Sequence, residues 1–231
     1  MCSQYEMVVP VNKIPAEAKL NNLSPEITWD NHIYPYSSAP VILRQHEQNT
    51  LKLMSYSLIP HWSKTSKPKF TTYNARLDRP ATGNNQLELI YDTPTWKQPF
   101  RSQRCIVPLT GFFESCREGR HAGNIVKFSS SEEPQILYAA GVWNCWTDMT
   151  SGEVIDSFAI LTDEPIPFIR EIGHDRQPVF LTLEKANTWL NHQQLPAKEA
   201  YQFLKDSQQP INYDVKNVRP LKGFNQYDLF S

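Results

Sequence analysis

The chain has 231 residues, 40% apolar and 12% aromatic, which is enough to bury a core and excludes global disorder. Eighteen prolines against eight glycines favour short strands with stiff connections over a helical bundle. The net charge of −1 carries no global polyanion signal, so any nucleic-acid surface has to be local.

The chain opens Met1-Cys2, a small residue directly after the initiator. Loss of Met1 would leave an α-amine and a thiol on adjacent carbons, with ordinary pKa values of ~7.7–8.0 and ~8.5. Such a pair traps an aldehyde as an imine and then closes a five-membered thiazolidine ring. The same two residues also describe a frayed terminus. EMVVPV reads as a short strand and PAEAKLNNL as a short helix. VILR is a strand, and LKLMSYSLIPHW begins as one and ends at Pro60-His61-Trp62. Trp62, beside a basic loop, is either a base-stacking ring or a half-buried core residue.

Residues 64–104 hold eight cations (Lys64, Lys67, Lys69, Arg76, Arg79, Lys97, Arg101, Arg104) against Asp78, Glu88 and Asp92, a net +5. Phe70, Tyr73, Trp96 and Phe100 interleave with them. That composition suits a single-strand groove, although a solvated face produces it too. RCIVPLTGFFES reads as two strands around a Pro/Gly break. Alternation puts Glu114 on the face of Phe112, where aromatic surroundings would raise a carboxyl pKa; an ordinary edge glutamate is the alternative.

REGRHAGN is a hairpin turn leading to NIVKFSS. PQILYAAGVWN and VIDSFAILT are strands joined around CWTDMTSGE, and together these segments form a run of antiparallel neighbours. In DEPIPFIREIGHDRQPVFL, Pro165 suits a helix first turn, Ile166, Ile169 and Ile172 have helical spacing, and Gly173 suits the C′ position. His174 then emerges just past the helix end, either a proton carrier or a surface histidine. TLEKANTWLNH and AKEAYQFLKD are amphipathic helices. The tail INYDVKNVRPLKGFNQYDLFS reads as irregular.

Cys2, Cys105, Cys116 and Cys145 show neither a CxxC pair nor a zinc-like Cys/His spacing, so neither metal nor cofactor is expected. Cys105 and Cys145 sit in apolar runs and read as small core residues. No leader segment is visible, and the longest apolar run is far too short to span a bilayer. A reduced, soluble, cytoplasmic protein with no membrane partner is the expectation.

Four separated signals coincide: Met1-Cys2, YNAR at 73–76, GFFE at 111–114 and GHDRQPV at 173–179. In this order they resemble the SOS-response-associated peptidase (SRAP) family, whose members sense abasic sites in single-stranded DNA. SAP at 38–40, IPHW at 59–62 and VKN at 215–217 resemble further family pieces. The resemblance implies residues 1–231 as one α+β domain, with a curved, barrel-like antiparallel sheet and peripheral helices. It implies Cys2 as nucleophile through amine and thiol, Asn74 as hydrogen-bonding partner of terminus and sugar, Glu114 as proton carrier, and His174 as assistant in sugar opening. Arg76, Trp62, Gln4 and Thr162 are the implied DNA-binding residues, and a monomer acting at abasic sites, nucleoid-associated when on DNA, is the implied form.

The chain departs from the family pattern at Ser3 and Gln4, where a glycine and a cation are usual, and at Ser115, where an aromatic is usual. Two other functions remain open: a cysteine peptidase or amidase using Cys2 and His174, and a single-stranded DNA-binding module without chemistry.

Overall fold

The computed structural model describes residues 3–10, 13–14, 18, 20, 27–81, 86–132, 136–191 and 195–222. The fold is built from two sheets that share one contiguous cluster of buried side chains.

The first sheet contains β3 (Ser38–Gln45), β4 (Gln48–Tyr56), β8 (Arg104–Leu109), β11 (Leu137–Thr147) and β12 (Val154–Asp163). These strands pair β12–β4–β3–β8–β11 and back to β12, closing a five-stranded barrel. The β12–β4 contact is parallel (Ser157↔Ser55, Phe158↔Tyr56), so the ring is not antiparallel throughout. Closing so few strands forces their backbones together. A Cβ on Gly141 would lie 2.8 Å from Cys105 Sγ and 3.0 Å from the Ala159 carbonyl, so no larger residue fits. Short β13 (Gln177–Pro178), β14 (Phe180–Leu181) and β5 (Asn74–Arg76) extend the barrel, β5 running parallel to β12.

The second sheet has the order β15 (Tyr213–Pro220), β10 (Asn124–Ser130), β9 (Gly111–Cys116), β1 (Gln4–Glu6), β2 (His32–Ile33). Its inward face is aromatic: Phe112 stacks on Phe128 at 4.9 Å and reaches Phe180 and Tyr213, each at 6.0 Å. Each such ring contributes roughly 1.5–3 kcal/mol by burial, which fixes the register of β9. A small hairpin, β6 (Asp78–Pro80) with β7 (Leu87–Leu89), stands apart.

Four helices are described: α1 (Lys97–Ser102), α2 (Pro167–Glu171), α3 (Leu183–Asn191) and α4 (Ala197–Asp206). Their placement and the curved sheet agree with the α+β class expected from the sequence. In α3, Trp189 reaches into the barrel wall, its indole N–H within 3.2 Å of the Cys105 carbonyl and 3.3 Å of that of Gly141. Among the described residues no helix is long and apolar enough to cross a membrane.

Several sequence expectations need correction. The N-terminal strand begins at Gln4 and ends at Glu6, before the Met7–Val9 run, because its partner β9 ends its ladder at Gly111. The tail is not irregular over residues 213–220: alternating Tyr213 and Val215 pack inward and β10 supplies the ladder. Pro167, not Pro165, takes the first turn of α2. Cys145 is exposed, since strand alternation turns it outward between the buried Asn144 and Trp146. The helix expected in PAEAKLNNL lies almost wholly outside the described residues.

Candidate active site

Side chains alternate between the two faces along β9, and Phe113 on the outer face is covered by His32. Phe112, Glu114 and Cys116 point inward, while Ser115 faces solvent. Glu114 is 3% exposed, and burial pushes its carboxyl up to about 7.

His174 reaches the same place from α2. Ile166, Ile169 and Ile172 seat that helix, and Gly173 ends it at φ +98°. A Cβ at Gly173 would come within 3.0 Å of the Glu118 carbonyl, so glycine alone permits the reversal that turns His174 inward. His174 is 7% exposed, its ring edge-on to Phe128 at 6.2 Å, and burial pulls its pKa down to about 4.

His174 Nδ1 lies 3.6 Å from Glu114 Oε2, and its Nε2 lies 3.4 Å from Cys116 Sγ. Between about pH 4 and pH 7 both Glu114 and His174 are neutral, so the contact is an acid facing an imidazole rather than an ion pair. At 3.6 Å it is longer than a formed hydrogen bond.

The next side chain, Asp175, faces solvent, and Arg176 and Gln177 are buried again. Asp175 Oδ2 lies 3.4 Å from Arg76 Nη2. Arg76 and Asn74 are held on β5 by pairing with Thr162 and Ile160 of β12. Both line a cleft of ≈ 250 Å³ with Thr71, Arg79, Glu88, Thr93 and Trp96. Thr162 is buried behind Arg76, and its Oγ1 has no hydrogen-bond partner among the described residues.

The structure thus links the predicted residues in two groups: Glu114 with His174, and Asn74 with Arg76 and Thr162. Asp175 joins them. Trp62 is 48% exposed and stacks on Phe70 at 5.7 Å, so it is not a core residue. Gln4 is engaged with His32, its Oε1 3.2 Å from Nε2. Met1 and Cys2 lie outside the described residues. Strand β1 pairs Gln4 with Phe113, so its N-terminal end comes up beside Glu114, the next residue of β9.

The basic stretch does not form one groove. Arg104 is fully buried, its guanidinium 4.4 Å from the Trp189 ring and bonded to the carbonyls of Phe100 and Leu195. Burial lowers its pKa to about 10. Phe100 is core as well, and Arg79 is paired with Glu88 at 2.7 Å. Lys64, Lys67, Lys69, Lys97 and Arg101 remain on the surface. Sequence reasoning missed Asp175 and Cys116. The first was legible as the neighbour of His174, the second as the next inward position after Glu114.

A family model described as SOS response associated peptidase (SRAP) matches residues 1–220. The chain is 26% identical over 219 residues to the abasic site processing protein YoqW of Bacillus subtilis (strain 168), covering 93% of this chain and 89% of that one. It is 28% identical over 221 residues to the abasic site processing protein HMCES of Gallus gallus, covering 80% of this chain and 62% of the relative. A crystal structure of a Bacteroides thetaiotaomicron protein shares the fold, with a TM-score of 0.74 at 24% identity over 94% of this chain and 92% of that one.

Proposed function

The chain belongs to the SOS response associated peptidase (SRAP) family, and from that premise we propose that it processes abasic sites in single-stranded DNA by linking them covalently to Cys2. Loss of Met1 frees the Cys2 amine. The amine nitrogen attacks the C1′ aldehyde of the opened abasic sugar, and water leaves to form the imine. The Cys2 thiol then adds to the imine carbon while its proton passes to nitrogen, closing a thiazolidine. Ring closure is intramolecular, so it needs no second encounter. It also removes the imine that would activate β-elimination, which keeps the strand intact.

The observation that carries this reading is the buried Glu114–His174 pair at the end of β1. A carboxyl near pKa 7 can give a proton to the departing hydroxyl and take one back at the physiological pH. His174, held neutral, can accept the proton released when the sugar opens. Arg76 offers its charge to a phosphate across an exposed pair with Asp175 that DNA can displace. Asn74, in the same cleft, offers amide hydrogen bonds to the sugar.

Incubation with abasic single-stranded DNA followed by a denaturing gel tests this. A covalent band that forms without reductant is the expected result. Peptide cleavage in place of a band would assign a peptidase, and salt-labile binding alone would assign a binding module.

A further inference from the structure

The proposed chemistry leaves unused a feature on the opposite face of the small sheet. Three rings there form a column. His32 lies 4.5 Å from Phe113 with 14° between planes, and 4.4 Å from Tyr34 with 12° between planes. Gln4 Oε1, 3.2 Å from His32 Nε2, fixes the rotation of the middle ring. Burial lowers the His32 pKa, with Glu6 opposing and Arg219 adding to the effect, so the middle ring is a neutral imidazole at pH 7. Tyr34 caps the column and is 45% exposed.

Charged groups of both signs border the column. Lys127 stands opposite Phe113 in the ladder and is ion-paired with Glu6. Arg219 is exposed on β15, near enough for its charge to reach His32. The column starts at Phe113, one residue from Glu114. A base in a duplex has both faces covered by its neighbours, so a protein ring can receive only an unpaired base.

We propose that the Tyr34–His32–Phe113 column is a stacking platform for an unpaired nucleobase of the DNA strand, with Arg219 meeting a phosphate beside it. The inference rests on the reading above that single-stranded DNA lies at Glu114, and adds where a neighbouring nucleotide goes. Planes 12–14° apart and centroids 4.4–4.5 Å apart continue into a fourth ring at the same spacing. Stacking is tolerant of base identity, so the platform would hold the strand without reading its sequence.

The test uses intact single-stranded oligonucleotides, which cannot crosslink, with 2-aminopurine placed at successive positions. Wild-type protein should quench one position selectively. Tyr34→Ala should abolish that quenching and weaken binding roughly 5- to 150-fold, the range for losing one stacked base, without changing the salt slope. Tyr34→Phe keeps the ring and should bind like wild type. Arg219→Ala should flatten the slope of log affinity against log salt by about 0.7. Wild-type affinity in Tyr34→Ala, with the DNA still binding, overturns the platform alone. No binding of intact single strand by the wild type overturns the platform and the DNA reading together.

Discussion

His174 and Asp175 are adjacent in sequence and sit in opposite electrostatic settings. His174 faces Glu114 and Cys116 beneath Phe128, where burial keeps acid and imidazole neutral. Asp175 faces Arg76 at the surface, where the pair contributes about 0–1 kcal/mol. The glycine turn at Gly173 makes the division. The dry setting brings the Glu114 carboxyl toward the working pH and holds His174 in the neutral form that can accept a proton. A group that binds phosphate gains from a wet one, because it keeps its charge and can exchange a weak partner for DNA.

Removing the dry carboxyl should have the largest effect. Glu114→Gln keeps the shape but cannot ionise, so ring closure at saturating abasic DNA should slow by roughly 10²-fold or more. Affinity for intact single strand should stay within about twofold, because a side chain buried on the inward face meets no phosphate. Time courses at saturating DNA separate the two quantities, and wild-type rates would make Glu114 structural.

The next effect is in pH. Glu114 is raised to about 7, so its acid form is present below that pH and is lost as pH rises through it. The amine becomes nucleophilic only as it deprotonates, near ~7.7–8.0. The rate should therefore peak between about pH 7 and 8 and fall on both sides. In Glu114→Gln the alkaline limb should vanish and the acid limb remain. Stability should follow the same groups: His174, lowered to about 4, costs stability as pH falls from 6.5 toward 4.

The wet pair should give the smallest effect, and on binding alone. Each phosphate neutralised on a single strand adds about −0.7 to the salt slope, so Arg76→Ala should flatten the line by that amount. A fluorescence titration of intact strand at several salt concentrations measures it, and an unchanged slope would place the phosphates elsewhere.

The barrel's strands were largely legible, because long apolar runs such as LYAAGVW in β11 and FAIL in β12 have few alternatives. Their order was not: the expected run of antiparallel neighbours is split, with β9 and β10 in the second sheet. The inward turn of Glu114 followed from alternation alone. The tail was misread because β15 is exposed on both faces from Lys216 onward, so only Tyr213 and Val215 carry an inward signal. Charge spacing failed at Arg104, whose cation is stacked on Trp189, a contact between residues 85 positions apart. Local composition holds no trace of such a partner. The column over Phe113 was illegible for the same reason, since β1 lies between its strand and that of His32.

Intact-mass analysis of the denatured adduct tests the central claim most directly. Wild-type protein lacking Met1 should carry the abasic strand with loss of one water and keep it without reductant. Cys2→Ala should carry at most an adduct that needs borohydride to survive. A reductant-free, stable adduct on Cys2→Ala, or on protein retaining Met1, would contradict the thiazolidine.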